Sequence, residues 1–220
     1  MSQGSVVAKA VIFDLDEVLL DMRRAWQYTV EEAVASVCGR RESAAPLVEE
    51  YWRRPWRDAL GILVREIEER DRCEALCLRM YERSAMKRLL VHEGVGMGLD
   101  RIRASRIEMG AISRAPHGPA LRRIESTGLD RFLAVLSPTA AGEPWDVGER
   151  LRECLAFLRY EPWQCAFVGA DGQDLRVAEA QGLRPFEAQW TATGPTGYPA
   201  VPSPGALVER LAGAPGTKNR

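Results

Sequence analysis

The chain has 220 residues and a mass of 24.5 kDa, enough for one full-sized domain, or a core with a small insert, that folds without disulfide or metal staples. Apolar residues at 46% and charged residues at 28% are ordinary for a soluble globular protein, and 30 basic against 31 acidic side chains leave a net charge of −1. That balance argues against a broadly basic nucleic-acid binder, and no apolar run approaches the roughly 18 residues of a membrane span.

From the N-terminus, Val6 to Phe13 is a short apolar run rich in β-branched residues that ends in acids at Asp14 and Asp16. A buried parallel strand delivering polar groups to the carboxyl edge of a sheet has this form. Helical spacing follows in Trp26, Val30, Ala33, Val34 and Val37, with Gly39 as a stop. The pattern repeats after Pro55 in Leu60, Leu63, Val64 and Ile67, then in Leu76, Met80 and Tyr81. No strand is expected between about residues 21 and 90, so this block reads as an all-helical insert.

From Gly94 onward, strands and helices alternate. Strands are expected over Ile107–Ile112, closing on Ser113, then Phe132–Leu136, Ala166–Val168 and Leu183–Gln189. Helices are expected through Leu121 and Ile124 up to Gly128, through Val147, Leu151, Leu155 and Leu158, and from the acidic loop after Gly169 to about Gly182. Alternation of this kind predicts an α/β protein with a parallel, Rossmann-like sheet covered on both faces. The Gly- and Pro-rich stretch Thr191–Gly205 reads as a loop, Leu207–Leu211 as a last short helix, and the remainder as a polar tail.

Cys38, Cys73, Cys77, Cys154 and Cys165 include no CxxC pair, and only His92 and His117 could join them on a metal. They read as small buried hydrophobes, and the expected setting is the cytoplasm. The thirty cations are 27 arginines and only three lysines, Lys9, Lys87 and Lys218.

In a doubly wound sheet the site lies at the carboxyl ends of the strands. Those ends carry Asp14 and Asp16, Ser113, and the Gly169–Asp174 loop. If the chain stays extended, Asp14 and Asp16 face one pocket while Leu15 faces the core. Two close carboxylates suit a divalent metal with oxygen ligands, or a nucleophile paired with a general acid. Taken alone, the pair also reads as turn-forming acids at a strand end.

Three stretches together are more specific. VIFDLDEVLLD resembles the first motif of the haloacid dehalogenase (HAD) superfamily, GAISRAP its second, and AFVGADGQDLRVAEAQGL its fourth. Their order and spacing also resemble the phosphoglycolate phosphatase-like group, in which a helical C1 cap follows the first motif. The resemblance spans roughly residues 9 to 190. It implies a HAD-like α/β core over 1–20 and 91–220 with a helical cap over 21–90. It also implies Mg²⁺-dependent hydrolysis of a small phosphorylated metabolite through an aspartyl-phosphate. On that reading Asp14 is the nucleophile, Asp16 the acid and then the base, and Ser113 with Arg114 binds the phosphoryl group. Asp14, Asp16, Asp171 and Asp174 would hold the metal. Neither nucleic acid nor a membrane is an expected partner. A HAD-fold protein with impaired catalysis and a binding or regulatory role is the alternative, and a phosphomutase is a third reading.

The departures are specific too. Glu17 stands where the first motif has glycine, and Ala170 where the fourth has its first aspartate, leaving Asp171 as a substitute ligand. Gly142-Glu143-Pro144-Trp145 matches the stretch that normally carries a catalytic lysine, so Glu143 reverses that charge. Losing such a preorganised partner removes roughly 3–4 kcal/mol of transition-state stabilisation. Arg114, Arg150 or an arginine of the helical block would have to substitute. Tyr51, Trp52, Arg53, Arg54, Trp56 and Arg57 cluster around Pro55, as a substrate lid or as a helix junction with buried rings and solvated arginines. His92 and His117 read as structural or surface residues.

Overall fold

The computed structural model describes residues 7–52, 54–81, 83, 89–140, 142–191 and 194–212. Val6, Arg53, Lys87, Lys218 and the C-terminal tail lie outside the described residues. The chain divides into two compact units, one taking in residues up to Leu20 and from Val91 onward, the other Asp21–Leu90.

The first unit is built on one six-stranded parallel sheet. Its strands are β1 Ala10–Asp14, β2 Glu108–Pro116, β3 Val135–Thr139, β4 Cys165–Gly169, β5 Arg184–Ala188 and β6 Ala200–Val201, in the order β3-β2-β1-β4-β5-β6. All five residues of β1 are buried, which is why its sequence runs apolar without alternation. Ala10 and Ile12 join Phe167, Leu151, Leu158 and Leu175 in one core cluster. The chain moves from β1 outward to β2 and β3, then returns to β4 on the other side of β1. Ligand crevices of α/β sheets form at this reversal, outside the carboxyl ends of the strands.

The flanking helices are α5 Val95–Ala104, α6 His117–Thr127, α7 Val147–Leu158, α8 Gly172–Ala180 and α9 Leu207–Leu211. Gly128 ends α6 with φ +68°, as its position past the last apolar residue predicts. Helix α5 is an element beyond those expected, and Val95, Leu99 and Ile102 have the spacing of a buried helical face. Gly98 lets α5 close on Pro204, because a Cβ there would lie 2.7 Å from the Pro204 carbonyl oxygen.

Several boundaries differ from expectation. Strand β2 does not close on Ser113 but runs on to Pro116, with a register irregularity against β3 between those residues. Strand β3 starts three residues later than expected, because Leu129 to Phe132 form a turn in which the Phe132 N–H donates to the Leu129 carbonyl at 3.0 Å. Two residues of the Gly/Pro-rich stretch form β6, pairing Ala200 with Glu187 and Val201 with Ala188.

The second unit contains α1 Met22–Cys38, α2 Val48–Tyr51, α3 Trp56–Leu63 and α4 Ile67–Tyr81, and no strand among its described residues. Trp26, Val30, Ala33, Leu60, Val64, Cys73 and Cys77 form its core. Trp26 stacks on Trp56 at 6.0 Å, and Tyr81 meets Trp56 edge-on at 5.2 Å. Arg54 and Arg57, on either side of Pro55, are held within the unit: Arg57 pairs with Asp71 at 2.7 Å and Glu74 at 2.9 Å, and Arg54 with Glu50 at 3.7 Å. Burial pushes the Cys73 and Cys77 thiols up to about 12, so both pack as neutral hydrophobes.

Candidate active site

Asp14 is the last residue of β1 and sits at the edge of the crevice. Its Oδ1 accepts the backbone N–H groups of Asp16 at 2.9 Å and Glu17 at 3.2 Å. This cap bends the chain into a wide π-type turn over Leu15–Leu19, closed by the Leu20 N–H on the Leu15 carbonyl at 3.0 Å. Trp190 Nε1 donates to the Val18 carbonyl at 2.9 Å, and His92 Nε2 lies 3.0 Å from the Glu17 carbonyl, so both rings pin the turn. Asp14 Oδ2, by contrast, is buried with no hydrogen-bond partner among the described residues.

The turn overturns one sequence argument. The chain leaves the extended conformation at Leu15, so Asp14 and Asp16 do not share a face by strand alternation. Asp16 points into a separate polar network. Its Oδ2 accepts the Ser113 hydroxyl at 2.9 Å and the Arg114 N–H at 2.8 Å, while its Oδ1 accepts Arg123 Nη1 at 2.6 Å. Asp16 and Arg123 are each 5% exposed. Burying two charges is tolerated only where geometry and hydrogen bonds compensate for lost hydration, as they do here. Ser113 is fully buried, and its oxygen also accepts the Ala115 N–H at 3.1 Å. The hydroxyl expected to hold a phosphoryl group therefore orients Asp16.

Sequence reasoning missed Arg123. The signal was present, because Arg123 lies three residues after the buried Ala120 and next to the buried Ile124, on the inner face of α6. An arginine there demands a buried carboxylate.

Arg114 joins the remaining acids. Its Nη2 lies 2.7 Å from Asp174 Oδ2 and its Nε 3.9 Å from Glu17 Oε1, and its guanidinium stacks 4.6 Å from the Trp145 ring centroid. Trp145 comes from the stretch expected to carry the lysine. Glu143 itself is exposed, and Arg150 is directed to the Pro138 carbonyl at 2.9 Å and to Glu153 at 3.1 Å. The cation beside Asp174 and Glu17 is thus Arg114, presented by the second motif and braced by the loop before α7. Four carboxylates (Asp14, Asp16, Glu17 and Asp174) stand against two guanidiniums. Burial, then the charges of Glu17 and Asp16, push the Asp14 carboxyl well above the usual carboxylate range, with Arg114 pulling the other way.

The expected metal set of Asp14, Asp16, Asp171 and Asp174 is not assembled. Asp16 Oδ1 and Oδ2 are engaged as described, Asp174 accepts from Arg114, and Asp171 caps α8 by accepting the Gln173 N–H at 2.7 Å. At Ala170 a methyl group replaces a carboxylate. Among the described residues, no three His, Cys, Asp or Glu side chains converge as a metal ion requires. With Asp16 and Asp174 held by guanidiniums and Asp171 capping α8, the carboxylates as arranged do not fit the ion.

A parallel α/β core ending its first strand in a buried aspartate at the reversal of strand order, and interrupted just afterward by a helical unit, defines a class of phosphatase-like hydrolases. The chain belongs to the haloacid dehalogenase-like hydrolase family, whose sequence profile matches residues 11–187. Enzymes of this family generally use Mg²⁺. No curated protein matches the sequence significantly. In fold the chain is similar to a HAD-superfamily hydrolase of subfamily IA from Geobacter sulfurreducens, with TM-score 0.78, 18% identity, and 96% of this chain and 100% of that one covered. It is similar to a candidate beta-phosphoglucomutase from Thermotoga maritima, with TM-score 0.72, 20% identity and coverage of 92% and 98%. A predicted phosphoglycolate phosphatase from Haemophilus somnus gives TM-score 0.69, 14% identity and coverage of 92% and 97%.

Proposed function

We propose that this chain is a phosphoryl hydrolase of the HAD class that acts on a small phosphorylated metabolite through Asp14. The observation that carries this is the asymmetry of Asp14: two backbone N–H groups hold Oδ1, and Oδ2 has no hydrogen bond among the described residues in a buried site beside Arg114. A nucleophile needs this arrangement, with one oxygen fixing the geometry and the other open to react. Oδ2 attacks phosphorus, the bond to the leaving oxygen breaks, and an aspartyl-phosphate forms. Water then attacks phosphorus, releasing dihydrogen phosphate and restoring the carboxylate. Arg114 supplies the positive charge that an anion attacking an anion requires. No step is assigned to Mg²⁺, because the side chains do not form its site. The free thiols agree with a cytoplasmic setting, and we assign residues 21–90, which follow β1 in the chain, as the cap.

The test is release of inorganic phosphate from an aryl phosphate by wild type and by Asp14→Asn. Wild type turns over and the variant falls to background. A second reading, a protein of this fold that binds without turnover, is favoured by the engagement of Asp16 with Arg123 and of Asp174 with Arg114. Equal rates in the two proteins would decide for it.

A further inference from the structure

Two cysteines of the helical unit meet where α1 ends. Cys73 Sγ lies 3.7 Å from the Ala33 carbonyl, and Cys77 Sγ lies 3.9 Å from the Thr29 carbonyl. A step of one turn forward on α1 is therefore a step of one turn backward on α4, and the two helices pack antiparallel in this register. One further turn brings the last residues of α1, Val37 and Cys38, to the level of Glu69, with Cys73 the next turn along α4. Cys38 accordingly packs against the core cluster that contains Cys73. Burial and then Glu69 push the Cys38 thiol up, while its neighbour Cys73 pulls it down.

The two thiols differ in access. Cys73 is fully buried, whereas Cys38 is half-buried. Beside Cys38 opens a recess of about 460 Å³, with Arg40, Leu63, Arg65, Glu66 and Glu69 in its walls. Arg40 follows Cys38 by two residues and Glu69 adjoins its thiol, which places the recess at that sulfur. Its volume suits a small molecule, and its mixed charges suit a zwitterion.

We propose that Cys38 and Cys73 are a disulfide-forming pair, oxidised by a small zwitterionic disulfide that enters this recess. The Cys38 thiolate attacks one sulfur of the reagent and expels a first thiolate. The Cys73 thiolate then attacks Cys38 Sγ and expels the second. The chain loses two protons and two electrons, which the reagent carries away as two thiols. With both thiols pushed up, little thiolate is present near neutrality and exchange runs over hours. The bond staples the end of α1 to α4 and closes the chain segment that carries α2 and α3, which restricts the unfolded chain.

The experiment incubates the full, reduced chain with oxidised glutathione under native conditions at about pH 8, then blocks remaining thiols and maps tryptic peptides without reduction. The expected product joins the peptide of residues 25–40 to that of residues 73–79, with fragment ions placing the bond on Cys73 and not on Cys77. Tm rises by at least about 5 °C over the reduced chain. Cys77→Ser behaves as wild type, whereas Cys73→Ser stops at a mixed disulfide on Cys38 with no rise in Tm. Relative to its rate with a free thiol, oxidised glutathione reacts about tenfold faster than the neutral bis(2-hydroxyethyl) disulfide. A mixed disulfide that persists on wild-type Cys38, a bond through Cys77, or an unmodified Cys38 after a day would overturn the pair. Equal relative rates for the two reagents would overturn the recess as the point of entry. Peptide mapping of wild type decides the question without the variants, should either not fold.

Discussion

Asp14 carries the tension of the site. Its carboxyl is raised by burial and by Glu17 and Asp16 above an ordinary value of 3.8, so the folded chain holds this proton more tightly than the unfolded chain does. The stability that the proton contributes is complete below about 3.8 and is lost as pH climbs through the raised value. Asp14→Asn keeps the shape and removes the charge. It should therefore raise the unfolding free energy on the order of 1 kcal/mol at about pH 8, with the gain fading near pH 4, as followed by urea unfolding across pH. An equal effect at both pH values would contradict the charge argument. Function runs the other way, because attack requires the ionised form and activity should climb with pH above the usual carboxylate range. Asp14 was legible in the sequence as a strand-end acid, whereas the partners of Asp16 were not. Arg123 lies 107 residues away in sequence, and only the packing of α6 brings it to 2.6 Å.

At the level of elements, periodicity exposed what burial dictates. β1 read as a strand because both its faces are covered, and α1 and α6 because their apolar residues recur at helical spacing before a left-handed glycine at 39 and 128. The wide turn at Leu15–Leu19 was invisible because the local cap by Asp14 Oδ1 acts together with distant groups, the Trp190 ring and His92, that the sequence does not place beside it. β6 was invisible because two residues carry no period. In the helical unit, Trp26 is almost fully buried and stacked on Trp56. Trp26→Ala should remove about 3–5 kcal/mol, with amide exchange accelerating across α1 and α4. A loss under 1 kcal/mol would show that the stack contributes little.

At the scale of the whole molecule, the family's fold persists while the residues around the first-strand aspartate depart from its motifs. The sheet order delivers Asp14 to the reversal of strand order, and the second motif still lies beside it. The second motif supplies Arg114, and the loop before α7 supplies Trp145 to brace it; Glu143, at the expected lysine position, is turned to solvent. The chain has three lysines among thirty cations, and among the described residues the cations paired with the site's carboxylates are the arginines Arg114 and Arg123. The most direct test of this account is acid quench during aryl phosphate turnover with excess chelator, followed by peptide mass analysis. The account predicts one phosphoryl group on the peptide carrying Asp14, at the same occupancy with chelator as with added Mg²⁺, and none in Asp14→Asn. A phosphoryl group that forms only when Mg²⁺ is present, or that forms elsewhere on the chain, would contradict it.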